Sequence, residues 1–164
     1  MSINSKNKGS TFERKISTMF SARFAALTGI STSFRRNPDS GAFFGGGNKT
    51  RTDTHDTDHA NFGDLLCPVN FKFSIECKHY KTPPTFTAIV SGEVKQWDGW
   101  LSQVEQDSAK SSKSPLLIVK YNSVRELAIV KQLYSTIPVR LVYKSNYIYT
   151  LEDLLTLSDA EFFS

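Results

Sequence analysis

Cysteine is scarce: Cys67 and Cys77 are the only two in 164 residues. Two thiols make no disulfide framework of the kind that staples small secreted domains, and no stretch has the form of a secretory leader. Reduced thiols in a cytoplasmic protein are therefore expected. No apolar run approaches the roughly 20 residues needed to cross a bilayer, so a membrane partner is not expected. Internal repeats are missing, and so is any compositional break, which leaves one domain over residues 1–164. Acids are sparse at the start: residues 1–51 hold nine Lys/Arg against Glu13 and Asp39. With a net charge of +4, this basic half suits a polyanion partner, although basic stretches also occur on ordinary soluble proteins. At 39% hydrophobic and 12% aromatic residues the chain is too apolar to stay disordered.

The segment Asp64–Lys78 carries the strongest chemical pattern. Strand-forming residues dominate it, and Cys67-Pro68-Val69-Asn70 supplies turn chemistry, so a β-hairpin is predicted. Alternation along a strand puts Glu76 and Lys78 on one face and Phe71, Phe73, Ile75 and Cys77 on the other. If the hairpin folds, Asp64 on the preceding strand lies beside Glu76, and two carboxylates share a patch with a lysine. Paired carboxylates form an oxygen-rich site for a hard cation such as Mg²⁺, which lowers the pKa of water and offsets phosphoryl charge. A lysine beside them can orient that water or counter the developing charge. An exposed Glu–Lys pair on a solvated sheet face is the plainer alternative.

Around this segment the elements follow in order. Residues 1–9 read as a basic arm. Ser10-Thr11-Phe12-Glu13 has the form of a capping box, opening an amphipathic helix through Phe12, Ile16, Met19, Phe20, Phe24 and Leu27 that ends at Gly29. Glu13 is then either the capping carboxylate or a member of an acidic cluster. Ser31–Arg36 is strand-prone and leads into Arg36-Asn37-Pro38-Asp39-Ser40-Gly41 and a glycine-rich loop, suited either to phosphate contact or to plain connection. Asp53, His55, Asp56, Asp58 and His59 match neither calcium nor zinc spacing and read as a solvated loop. A second helix is expected from Ser91 or Gly92 to Ser111, with Val94, Trp97, Leu101, Val104 and Ala109 inward and Gln103 and Asp107 one turn apart. Pro115–Tyr121 reads as a buried strand, Leu127–Val130 as a further one, and Pro138–Tyr143 with Tyr147–Tyr149 as a last hairpin. Thr150 caps a short closing helix. Core residues 10–121 are thus followed by a β-rich part over 122–164.

Taken together, Glu13, the Arg36–Gly41 loop, Asp64, Glu76-Cys77-Lys78, Gln103 and Lys120 make the chain resemble the PD-(D/E)xK nuclease superfamily, and within it the archaeal-type and phage Holliday-junction resolvases. Gly63 stands where that motif usually has proline. The resemblance implies an α/β (α+β) fold, restriction-endonuclease-like, with a mixed central sheet flanked by helices. It implies a Mg²⁺-dependent structure-selective DNA endonuclease, with Mn²⁺ able to substitute, acting on branched DNA as a homodimer. Restriction-type or end-processing nucleases of the same fold, and a catalytically silent nucleic-acid-binding module, are the alternatives. Asp64, Glu76, the Cys77 carbonyl and Glu13 would hold the metal, and Lys78, Ser40 and Gln103 would complete the catalytic set. Arg35, Arg36, Ser40, Lys8, Arg14 and Lys120 would contact DNA.

Overall fold

The computed structural model describes residues 5–38 and 63–164, with side chains from residue 7. Its elements run α1 (Ser5–Arg23), α2 (Ala25–Thr28), β1 (Arg35–Arg36), β2 (Leu65–Leu66), β3 (Phe73–Tyr80), α3 (Phe86–Ser91), α4 (Lys95–Ser111), β4 (Ser114–Tyr121), β5 (Leu127–Val130), β6 (Leu141–Tyr143), β7 (Asn146–Thr150), α5 (Leu151–Leu154) and α6 (Asp159–Phe162). Five strands form one mixed sheet in the order β3-β4-β5-β7-β6. β3 and β4 are parallel, joined by a crossover through α3 and α4, and the remaining pairs are antiparallel. The restriction-endonuclease-like expectation of a mixed sheet between helices therefore holds.

Alternation along β3 and β4 sorts the two layers. Phe73, Ile75, Cys77, Leu116 and Ile118 face α1, α5 and α6, burying Phe12, Ile16, Phe20 and Phe24. Leu117, Val119 and Tyr121 face α4 and bury Trp97, Leu101 and Val104. Glu76 and Lys78 share this second face, as the period of two requires. The indole N–H of Trp97 donates to the Tyr121 hydroxyl at 2.8 Å, so this tryptophan anchors the helix to the sheet.

Several local expectations need correction. α1 begins at Ser5, ahead of the proposed cap, and the Ser10 hydroxyl donates to the Asn7 carbonyl inside the helix, so no capping box forms and the arm shortens. Leu27 is exposed, because the chain breaks at Phe24 and α2 turns away from the core. Only Arg35–Arg36 of the first strand ladders, since its partner β2 is two residues long. The reversal at Cys67–Asn70 exists, with the Phe71 N–H on the Pro68 carbonyl at 3.0 Å, but β2 pairs with β1 rather than with β3. Ahead of α4, Thr85 caps a separate helix, α3, and Gly92 ends it. Ala109 is exposed on α4, whereas Trp97 and Trp100 are both buried, as expected of core anchors. The thiols of Cys67 and Cys77 are both free.

The C-terminal segment belongs to the core of the hairpin region. Phe162 lies 5.0 Å from Phe24 and stacks on Phe71, while the Lys72 N–H donates to the Phe162 carbonyl at 2.7 Å. Phe162→Ala is expected to cost about 3–5 kcal/mol, read as a lower urea midpoint. An unchanged midpoint would mean that this segment folds independently of the core.

Candidate active site

The site lies along the edge of β3 that faces away from β4, where pieces of both layers meet. Gly63 and Asp64 run beside that edge, and the Asp64 N–H donates to the Ile75 carbonyl at 2.8 Å. The Asp64 Oδ2 in turn accepts the Cys77 N–H at 2.8 Å, so its carboxylate fills a place that a neighbouring strand would occupy. Backbone N–H and C=O of one strand residue project to the same side, which puts the Cys77 carbonyl on this edge too. From the other side Asn37 clamps the segment: its N–H donates to the Asp64 carbonyl at 2.8 Å and its Nδ2 to the Gly63 carbonyl at 3.0 Å. Asn37 is buried and was not singled out by sequence; its place inside the Arg36–Gly41 motif was the only available signal.

Gly63 explains the missing proline. Its φ is +90°, outside the range a proline ring allows, and a Cβ there would stand 2.5 Å from the Ile75 carbonyl oxygen. The backbone passes this close because Asp64 must reach Cys77.

On the α4 face, three side chains close a ring. The Lys78 ammonium donates to Glu76 Oε1 at 2.7 Å and to Gln103 Oε1 at 3.3 Å, and Gln103 Nε2 donates to the same Glu76 oxygen at 3.0 Å. Asp107, one turn further along α4, adds negative charge that Glu76 feels. Glu13 reaches the edge from α1 and pairs with Arg36 Nε at 2.5 Å.

Electrostatics single out the two acids. Burial, the charge of Glu76 and that of Glu13 push Asp64 up to about 8, against the lowering effect of the Cys77 N–H and Lys78. Burial also raises Glu76, with Lys78 opposing it. For Lys78, burial would lower the pKa, but Glu76 and Asp64 outweigh it and the net shift is upward, so it is an ammonium at neutral pH. Burial holds the Cys77 thiol well above its usual value, which leaves it inert.

Two buried, mutually repelling carboxylates and a backbone carbonyl on one edge are a donor set that a hard divalent cation would relieve. Among the described residues, no group of three or more His, Cys, Asp or Glu side chains stands ready to hold a metal. Asp64, Glu76 and the Cys77 carbonyl are the groups on this edge that would hold such a cation.

Of the other candidates, Arg36 joins the site and Arg35 does not. Arg35 is exposed and its Nε donates to the Thr32 carbonyl at 3.2 Å. Arg14 is exposed on α1. Lys8 donates to Asn122 Oδ1 at 3.0 Å, and Lys120 to the Val124 carbonyl, with Glu126 at 3.8 Å. Lys8 and Lys120 thus lie around the C-terminal end of β4, both near His79. Ser40, Gly41 and the acidic stretch at 53–59 lie outside the described residues. No helix among the described residues is long and apolar enough to cross a membrane.

A family model described as "Phage putative PDDEXK endonuclease" matches residues 4–158. No curated protein and no solved structure matches the chain.

Proposed function

The chain belongs to the phage PDDEXK endonuclease family, and from that premise we propose that it is a Mg²⁺-dependent, structure-selective DNA endonuclease of the Holliday-junction resolvase kind. The observation that carries this reading is the buried Asp64–Glu76 pair with Lys78 held between Glu76 and Gln103. Asp64, Glu76 and the Cys77 carbonyl would hold Mg²⁺, or Mn²⁺ in its place. When bound, the cation lowers the pKa of water and offsets charge on the phosphate.

The protein's own groups divide the remaining work. Lys78, cationic at neutral pH, is a donor rather than a base: it orients the attacking water and offsets charge that builds on phosphate oxygens. Gln103 fixes the direction of that ammonium by accepting a hydrogen bond from it at Oε1 while its own amide N–H donates to Glu76. Arg36 brings a planar guanidinium to the rim, suited to a phosphate fork. Water adds to phosphorus in line with the departing sugar oxygen, and the P–O bond to that oxygen breaks. The water's proton passes to solvent and the sugar oxygen takes one up, leaving a phosphomonoester and a hydroxyl. Branched DNA is the proposed substrate because the motif order is resolvase-like, while the basic N-terminal part suits a polyanion in general. A homodimer would supply the two sites that paired strand cuts require.

Four-way junction, flap, single-stranded and linear duplex DNA, each with and without Mg²⁺, test this reading directly. Cleavage is expected with Mg²⁺ or Mn²⁺, fastest on the junction; equal rates on linear duplex would favour a restriction-type enzyme. Lys78→Ala should lower the single-turnover rate at least about a hundredfold while weakening DNA binding only a few-fold. A variant with normal chemistry and much weaker binding would make Lys78 a DNA contact instead.

A further inference from the structure

We infer that Glu13 is a positioning residue that acts through Arg36, aiming its guanidinium at the phosphate next to the carboxylate pair, and is not a metal ligand. This rests on the endonuclease reading above. Three observations support it. First, Glu13 Oε2 takes the Nε–H of Arg36 at 2.5 Å, and at 12% exposure the Glu13 side chain is too sheltered for this to be a solvent-screened surface pair. A guanidinium carries five N–H donors, so one bond through Nε leaves the fork able to meet a phosphate while fixing the plane in which it does so.

Second, the backbone ties this pair to the site. Arg36 lies opposite Leu65 in the β1–β2 ladder, and the next residue, Asn37, donates to the Asp64 carbonyl. Moving Arg36 therefore moves it relative to Asp64 itself. α1 is packed through Phe12 and Ile16 into the same core as Ile75 and Cys77, which fixes Glu13 against the strand that carries Glu76.

Third, Glu13 lies close enough to the two acids for its charge to raise both, while its carboxylate is already engaged by Arg36. A cation resting on Asp64 and Glu76 would leave Glu13 with Arg36. The cleft then holds two ion pairs of one design: Lys78 with Glu76 on the α4 side and Arg36 with Glu13 on the α1 side. Each acid keeps a cation pointed at the edge where the substrate's phosphate must lie.

A double-mutant cycle with separate readouts tests this. Glu13→Gln keeps the shape and removes the charge; Arg36→Ala removes the partner; Arg36→Lys keeps the charge and loses the Nε contact. Junction binding by anisotropy in Ca²⁺, single-turnover cleavage in Mg²⁺, and the Mg²⁺ concentration that raises the melting temperature halfway are measured for each. Glu13→Gln and Arg36→Lys should each slow cleavage by about tenfold to a hundredfold. The double variant Glu13→Gln with Arg36→Ala should be no slower than Arg36→Ala alone, and Glu13→Asp should recover part of the loss. The Mg²⁺ midpoint of Glu13→Gln should stay within about twofold of the parent. A tenfold weaker Mg²⁺ midpoint in Glu13→Gln, or losses that simply multiply in the double variant, would overturn the inference. If the parent protein cuts no DNA, the endonuclease reading fails, and the same cycle in binding and in Mg²⁺ midpoint still decides whether Glu13 works through Arg36.

Discussion

Asp64→Asn is expected to abolish cleavage and, at the same time, to make the metal-free protein more stable at pH 8. The carboxyl of Asp64 is raised to about 8 in the fold from an ordinary value of 3.8, chiefly by burial and by the charge of Glu76. A raised carboxyl means that the folded state keeps a proton which the unfolded chain has already lost. Its favourable contribution is complete below about pH 4 and is lost progressively as pH rises through 8. The metal-free protein should therefore lose stability across that window, by an amount on the order of a few kcal/mol. Asparagine does not titrate, and its amide oxygen can still accept the Cys77 N–H, so the slope should flatten and the melting temperature at pH 8 should rise. Mg²⁺ should restore stability to the parent at pH 8 and do little for the variant. Melts from pH 5 to 9, with and without Mg²⁺, check this alongside cleavage; an unchanged slope in Asp64→Asn would remove Asp64 as its source.

Gly63→Ala should be the most damaging single methyl group in the described part of the chain. At φ +90° a side chain is strained whatever the space, and here its Cβ would stand 2.5 Å from the Ile75 carbonyl oxygen and 3.0 Å from Ser74 Oγ. The backbone must move away from β3, and the first casualties are the Asp64 N–H bond to Ile75 and the Cys77 bond to Asp64. A loss of about 2 kcal/mol or more is expected, with cleavage slowed at least about a hundredfold by displacement of Asp64. Gly92→Ala is the control: its φ is also positive, at +66°, but the nearest atom is Lys144 Cε at 3.8 Å. It should cost about 1 kcal/mol of strain and leave the cleavage rate alone. Equal effects at the two positions would mean that crowding against Ile75 is not what matters.

The sequence made the sheet legible wherever one period ran without interruption. Pro115–Tyr121 and Leu127–Val130 read as strands because their apolar runs are buried on both faces, and alternation alone put Glu76 and Lys78 together. Gln103 was legible because helical spacing fixes which side of α4 it occupies, and that side meets Glu76. Boundaries fared worse. Ser10 looks like a cap, yet packing and the Lys8–Asn122 contact carry α1 back to Ser5. α3 was hidden because a six-residue helix shows too little periodicity, leaving Thr85 as its only sign. The pairing of β2 with β1 could not be read at all, since two-residue ladders are fixed by what surrounds them. Asn37 and the Glu13–Arg36 pair depend on that pairing, and so were equally out of reach.

Edge strands invite other chains to pair with them, and β3 is an edge strand that no further strand among the described residues covers. Asp64 deals with this by satisfying the Cys77 N–H with a carboxyl oxygen, so that an incoming strand finds the donor taken and a polar side chain in its path. The acid proposed for the chemistry is thereby also a guard against sheet-to-sheet association. That double duty decides which substitution can isolate the chemistry. Alanine at 64 would uncover the N–H and invite self-association along with the loss of charge, whereas asparagine leaves the edge closed and changes the charge alone.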